Sequence, residues 1–524
     1  MVGYADLSNE IWVGTGASVT MIPETNIFLG AACSVSGAVL TLGTLPFELV
    51  TNLYTGCTVE MTGNSNTQSL VVISNTHVAI TFNENIASNV GTSSVSATIL
   101  PFGAPSPAIY GTAKTTSKPS LLADNWLGVV NGFSPPSLDV EVAQVNLALA
   151  GTRNFQFQYK KGETVSGASL DLSMSHGGWF YYALGQIGSV DSTAGDAAAA
   201  SNGGKLLTVA SDSTKFYKAL GNTATAYPPT STAITGLDLV TNAHINYTFT
   251  ESNGQNLPSF ALEVTYEKEG IVDSQYFVGS NDRLAASVDD DTLKSFETSH
   301  TEIFSRVFTG CQVNSTTITF DESQEVKQSL DLVTRSAFDV PNGYVPKRQV
   351  RTPEGLHNFS GDGTLVLDAE DRRPYLFSEG SITLFGNTVT KVKSGSITIS
   401  NNITPQRYIG NYNRGITSAH IPAQRTYEVS LTMLVTDTDL WNDLRAEQGE
   451  NLDAATKIEI QFSKGGGYTA TDDYFRITLQ DFLTQSVEIP FPDDKGPVEV
   501  VATFSARTLG SCIYNGKWVI LNND

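Results

Sequence analysis

Residues 138–336 and 381–508 carry the same series of elements in the same order: alternating strand, strand, short Trp-bearing helix, strand, hairpin, strand. A β unit written twice in one polypeptide restricts the fold to one in which both copies have equivalent surroundings, and a symmetric assembly supplies them. Residues 169–174 align with 428–433, both alternating polar and apolar with the period of a half-buried strand. A helix start follows in each copy. In the first it is Ser175-His176-Gly177-Gly178-Trp179, running on to Leu184. In the second, Thr436 or Thr438 caps, Asp437 and Asp439 favour the N-terminal dipole, Leu440, Trp441 and Leu444 face inward, and Gly449 ends the helix. Residues 244–249 and 260–267 then align with 457–462 and 474–479. Last, 315–320 and 328–333 align with 486–491 and 498–504, with turns at Asp321-Glu322 and Pro492-Asp493-Asp494.

The 524 residues suffice for about three domains of ordinary size. A hydrophobic share of 40% fills real cores, and 45 glycines suit a protein of strands and turns. The charge balance, 31 Lys plus Arg against 53 Asp plus Glu, leaves −22, a surface that repels nucleic acid. Residues 1–6 have no basic n-region or apolar h-region, and no 18-residue apolar run follows, so a chain made and kept in the cytoplasm, with no membrane partner, is expected. Cys33, Cys57, Cys311 and Cys512 lack metal-ligand spacing and read as small buried apolar residues. The six histidines form no His-x-x-x-His pair. His176-Gly177-Gly178 has no Gly-x-Ser-x-Gly elbow to serve, Gly465-Gly466-Gly467 lacks the Lys of a phosphate loop, and Asp289-Asp290-Asp291 lacks calcium-loop spacing. No enzyme activity, metal or cofactor is expected.

The first 113 residues contain no Lys or Arg and six carboxylates, and Pro101, Pro105 and Pro107 follow that stretch's last strand signals. The compositional step places a small β domain at 1–104, a first unit at 105–340, a connector at 341–374 and a second unit at 375–524. The expected fold is all-β dominated: two tandem sandwich- or barrel-forming domains, each with a short helix, after the N-terminal domain. Within the connector, Lys347, Arg348 and Arg351 form a basic patch suited to an acidic neighbour, and residues 362–368 read as one more strand. Residues 401–425 make a long arm holding Arg407, Tyr408, Tyr412, Arg414 and Arg425, a composition typical of interfaces, with a shorter equivalent near 150–168.

Ala108-Ile109-Tyr110-Gly111, Gly132-Phe133-Ser134-Pro135-Pro136, Gly151-Thr152-Arg153 and the strand–helix ending Ala183-Leu184-Gly185 resemble the opening of tail tube proteins from long-tailed bacteriophages. Residues 374–509, with the Trp helix and the strand pair within 487–504, resemble the same family's second half. The likeness covers about 400 of the 524 residues and leaves out 1–104. It implies rings whose subunits contribute strands to a barrel around a channel, stacked into the virion tail, with DNA passing through and without specific binding. Other tail proteins (tape measure, terminator, distal tail) are then the implied partners. A chain with two such domains implies a homotrimer imitating a hexamer, as in siphovirus-type tails. On this reading the polar strand faces offer Asp139, Glu141, Asp171, Glu263, Asp331, Glu428, Glu459, Glu488 and Glu499 as lumen-facing acids, the arm and the basic patch bind neighbouring subunits, and residues 1–104 decorate the outer wall. A contractile-tail or injection-machine ring is the alternative, and a glycan-binding surface protein a more distant one.

Overall fold

Apolar and hydroxyl-bearing side chains alternate over much of this chain, so its backbone groups find their partners between strands and antiparallel sheets result. The structure is a computed structural model that describes residues 14–24, 26–30, 32–43, 49, 51–105, 128–145, 157–192, 245–252, 257–268, 303–339, 358–359, 363–364, 373–406, 419–434, 442, 444, 457–470, 472–489 and 497–516. It is almost entirely β.

Strand β1 (Gly14–Pro23) precedes a small module made of β2 (Ile27–Phe28), β3 (Ser34–Ser36), β4 (Val39–Thr41), β5 (Thr58–Gly63), β6 (Asn66–Asn75), β7 (Ala79–Phe82) and β8 (Ser96–Ile99). The first unit contains β9 (Val129–Ser134), β10 (Leu138–Val145), β11 (Phe157–Val165), β12 (Ala168–Ser173), helix α1 (Trp179–Leu184), β13 (Gly185–Ser192), β14 (Ile245–Glu251), β15 (Phe260–Lys268), β16 (Ile303–Asp321), β17 (Lys327–Val333) and β18 (Ser336–Asp339). In the connector, β19 (Asn358–Phe359) pairs with β20 (Gly363–Thr364); the other residues of the strand expected over 362–368 lie outside the described residues. The second unit contains β21 (Gly380–Leu384), β22 (Asn387–Val389), β23 (Val392–Ser400), β24 (Thr404–Gln406), β25 (Ala419–Ile421), β26 (Thr426–Leu434), β27 (Lys457–Lys464), β28 (Asp473–Glu488) and β29 (Glu499–Gly516).

One 16-stranded sheet crosses both units in the order β22-β21-β27-β28-β29-β26-β23-β16-β17-β12-β9, with β1, β13, β14, β15 and β18 attached. The first unit runs β1-β15-β16-β17-β12-β9 and the second β21-β27-β28-β29-β26-β23, the same order. Strands β16 and β28 each change neighbours along their length, pairing near their starts with β15 or β27 and near their ends with β17 or the start of β29; β16 pairs with β18 and β23 as well. This corrects two sequence matches. β15 takes the place of β27, and the start of β16 that of β28, because β13 and β14 form an extra hairpin between helix and sheet. β14 instead pairs with the end of β29. The last hairpin also shifts in register: Ser315, opposite Asp331, sits where Leu483 sits opposite Ser505.

Helix α1 is buried along its whole length and plugs the core where the units meet. Phe180 lies between Phe249 and Phe475, and Trp179 meets the edge of Phe260. The His176 ring accepts the Gly178 N–H at 3.0 Å, and Gly185, at φ 103°, ends the helix in the left-handed conformation that glycine adopts freely. In the second unit, helical residues 442 and 444 are described and Leu444 is buried; Leu440, Trp441 and Gly449 lie outside the described residues.

The small module is an insertion. Its ends meet as a bridge between Glu24 and Pro105, while β1, inside the first 104 residues, pairs with β15 of the large sheet. The module's core takes in Ala261 and Val307, whereas their neighbours Leu262 and Phe308 face the main core. Strands β15 and β16 are therefore covered on both sides. At this seam Glu24 is fully buried and accepts the Gly103 N–H (2.8 Å), the Gly310 N–H (2.7 Å) and the Ser259 hydroxyl (2.6 Å). Arg335, also buried, reaches into the module over the Phe102 ring and against Cys57 Sγ at 3.6 Å.

Burial raises the Glu24 carboxyl to about 7, against the pull of its three donors and of Arg335. The folded protein thus keeps a proton that the unfolded chain loses near 4.5. Stability at this seam is full below that value and falls by about 3 kcal/mol as pH rises through 7. Glu24→Gln is expected to flatten this slope in denaturant titrations between pH 4.5 and 8. Arg335→Ala, which strands a buried carboxylate, is expected to lower stability by about 3–5 kcal/mol at pH 8.

Candidate channel surface

The run β9-β12-β17-β16-β23-β26-β29-β28 is the part of the sheet whose two faces differ most. One face is apolar and buried: Leu172, Leu330, Ile318, Ile397, Val429 and Phe504 belong to the main core. The other is built of hydroxyls with scattered charges. One hydrogen-bonded row passes Ser134, Ser169, Asp331, Ser315, Ser400 and Thr426. The next passes Gly132, Asp171, Ser329, Thr317, Thr398, Glu428 and Ser505. Period-two alternation produces this division, and β-branched threonine suits the pleat.

Five of the expected acids, Asp171, Asp331, Glu428, Glu488 and Glu499, fall on this face. Asp171 accepts the Ser329 hydroxyl at 2.7 Å, Asp331 accepts Asn314 Nδ2 at 2.7 Å, and Glu499 pairs with Lys393 at 2.6 Å. The hydrogen bond and charge of Glu499 raise the Lys393 ammonium above its ordinary value. Asp321, not singled out from sequence, shares the face through its pairing with Ser394. The other four expected acids sit elsewhere. Asp139 and Glu141 lie on the separate β10–β11 hairpin. Glu459 lies on β27, beside Lys457 (3.6 Å) and Arg476 (4.0 Å). Glu263 is buried in β15 under the module, which removes it from any open surface of the chain.

Arg425, expected to grip a neighbour, is held within its own chain. Its Nε donates to Asn401 Oδ1 at 2.7 Å, a terminal nitrogen donates to the Leu184 carbonyl at 3.1 Å, and Glu251 lies 3.8 Å away. It clamps the end of α1 to the second unit. Arg407, Tyr408, Tyr412, Arg414, Lys347, Arg348 and Arg351 lie outside the described residues. The place of the equivalent arm expected near 150–168 is taken by the β10–β11 pair, which spans 138–165 and is not the shorter of the two; β24–β25 holds the corresponding place after β23.

The two units join where β16 meets β23, with Thr317 opposite Thr398, Ile318 opposite Ile397 and Phe320 opposite Gly395. The Thr317 and Thr398 hydroxyls meet at 3.1 Å on the polar side. Beyond the seam, Asn401 Nδ2 donates to the Val313 and Ala183 carbonyls at 2.9 and 3.0 Å. Gly395 is needed there because a Cβ would stand 2.5 Å from the Phe320 ring and 2.7 Å from Leu431.

Away from this face, a cavity of about 320 Å³ opens between the module, β16 and the β24–β25 hairpin, lined by Phe102, Tyr181, Leu257, Ser259, Gln312 and His420. His420 Nδ1 meets Gln312 Oε1 at 3.1 Å, and burial, with Arg335 nearby, lowers the ring's pKa to about 4. The neighbouring Cys57 and Cys311 thiols are pushed up by burial, the opposite of an activated nucleophile. Among the described residues no group of three His, Cys, Asp or Glu side chains is placed to hold a metal ion, and no helix is long and apolar enough to cross a membrane.

An antiparallel sheet with one sealed apolar face and one hydroxyl-rich face, without a strand partner among the described residues at β9 and at β28 beyond Gln480, suits a structural protein that presents a surface. The family described as phage tail tube protein matches residues 108–507, and the chain belongs to that family, a structural component of the virion tail. Comparison with curated proteins finds no match. The module and β1 lie outside the matched span.

Gly395→Val is expected to lower stability by about 1–3 kcal/mol through overpacking at the seam. Phe320→Ala in the same chain should recover part of that loss, and a double-mutant cycle in urea measures the coupling.

Proposed function

We propose that this chain builds the tail tube of a siphovirus-type phage. Three copies close into a ring of six related units, and stacked rings enclose a bore lined by the hydroxyl-rich face. The observation that carries this reading is the eight-strand run that continues from one unit into the other and, among the described residues, ends in an edge without a strand partner at β9 on one side and at β28 beyond Gln480 on the other. A sheet with two open edges and one sealed face is satisfied by closing on further copies, since closure removes edges that otherwise invite disordered aggregation. The shared strand order lets one chain occupy two equivalent places, which supports threefold closure.

DNA passing such a bore meets hydroxyls, which form only exchangeable contacts, and carboxylates, which repel phosphate. Lysines would hold the phosphate backbone and slow passage. Among the described residues Lys327, Lys393 and Arg507 are the cations on this face; Lys393 is paired with Glu499 and Arg507 with Asp481. The module covers the side of β15 and β16 opposite the main core, where a contractile sheath would otherwise sit, and this favours a non-contractile tail. The arms and the termini of the stack are the surfaces for adjoining rings and for tape measure, terminator and distal tail proteins.

Electron microscopy of the purified protein is expected to reveal rings or hollow tubes with a threefold average; a population of monomers at all concentrations would overturn the reading. Charge reversal at Asp171, Asp331 and Glu428 together is expected to leave tubes intact but slow genome ejection, measured by dye uptake from ejected DNA, with the delay shrinking as salt rises.

A further inference from the structure

The internal seam also specifies how one chain meets the next. We infer that β9 of one copy adds antiparallel to residues 486–489 of another, in the register Ser134–Ser486, Phe133–Val487, Gly132–Glu488 and Val130–Ile489. This rests on the ring reading above and deepens it by fixing the partner, a second copy, and the pairing.

The register follows from the hydrogen-bonded rows of the sheet. In the first unit Val130 pairs with Leu172, Leu172 with Gln328, and Gln328 with Ile318. In the second unit Gly395 pairs with Leu431, Leu431 with Ala502, and Ala502 with Val487. Val130 therefore holds the place of Gly395, and Val487 that of Ile318. At the internal seam Gly395 pairs not with Ile318 but with Phe320, two residues on. The same two-residue step from Val487 reaches Ile489, and it is the stagger that a tilted, closing sheet requires. The same steps place Phe133 at Ile397's position, opposite Val487, and Gly132 at Ser396's, opposite Glu488.

Three observations agree with this register. Both edges lack a strand partner among the described residues: β9 pairs only with β12, and β28 beyond Gln480 pairs only with β29. Each edge exposes a large apolar side chain that its own fold leaves uncovered, Val130 at 39% and Ile489 at 41%, and the register sets them opposite one another. Alternation is preserved across the join: Phe133 and Val487, each already packed against the main core, meet on the apolar side, while Glu488 and Gly132 meet on the hydroxyl side. A slip of one residue would put Ile489 on the polar face. Pro135 and Pro136, which lack N–H groups, end the pairing after Ser134, so the join is short and defined.

The test is a double variant, Val130→Cys with Ile489→Cys, in the full chain. All four native cysteines are buried, so background cross-linking is low. Directly opposed antiparallel residues bring Cα atoms within disulfide reach. Mild oxidation of assembled protein is expected to produce covalent trimers on a non-reducing gel, and the control Val130→Cys with Thr388→Cys, on the far strand β22, none. Rings seen by microscopy without that cross-link, or with equal cross-linking in the control, overturn the register while the ring reading stands. Protein that neither cross-links nor assembles overturns both.

Discussion

The constraint on which the rest of this structure depends is the seam between β16 and β23. Without it the chain would be two small sheets, each with exposed edges. With it, two units of the same strand order become one continuous surface, apolar beneath and hydroxyl-bearing above. The seam is short, so its geometry is secured from both sides. Gly395 leaves room for the Phe320 ring beneath the sheet, and Asn401 ties the strand end to the Val313 and Ala183 carbonyls. A buried asparagine that satisfies several backbone groups sets a register more firmly than apolar packing alone, because a slipped register strands its polar atoms. Arg425 then fastens the same asparagine to the end of α1, so the helix that fills the core is coupled to the seam.

The outer module obeys a different logic. It enters and leaves the large sheet at one point, Glu24 beside Pro105, as an inserted domain does. Apolar contact alone, through Ala261 and Val307, would let it slide over β15 and β16. A buried carboxylate with three directed donors and a buried guanidinium under Phe102 allow one orientation. Such charged groups contribute little net stability against well-packed apolar residues, and their value here lies in orientation. A domain on the wall of a tube must not tilt into the plane where rings stack, which gives that orientation a purpose on the proposed function.

Much of this was legible in the sequence because period-two alternation records burial directly. Residues 426–434 and 394–400 read as strands and are strands, and α1 begins at the Gly-Gly-Trp step where the sequence placed it. Less legible were features that depend on distant partners. A strand of 19 residues such as β16 reads as two, because it changes neighbours midway and its pattern changes with them. β1 lies in the compositionally distinct first 104 residues, yet its partner β15 is more than two hundred residues away, so no local signal separates it from the module. Glu24 and Arg335 are ordinary charged residues in sequence; only the fold brings them into one buried seam. Glu263 reads as a surface acid because alternation shows two faces without saying that both are covered. The run Ser394-Gly395-Ser396-Ile397-Thr398-Ile399-Ser400 does carry a readable hint, every second residue a hydroxyl.

That hint changes how a bore made from this face would work. A surface dense in carboxylate would repel DNA strongly but would also strain the ring through its own charge, since like charges across a narrow channel are screened only over about 8–10 Å of electrolyte. Hydroxyl rows avoid that conflict. Serine and threonine satisfy one another across strands, as Thr317 and Thr398 do, and offer DNA no contact stronger than the one its hydration water already makes. Two of the acids on this face are tied by neighbours, Asp171 by Ser329 and Asp331 by Asn314, so these carboxylates are held in place at the wall. On this account the negative charge sets the sign of the potential, and the hydroxyl lattice between the acids sets the low friction.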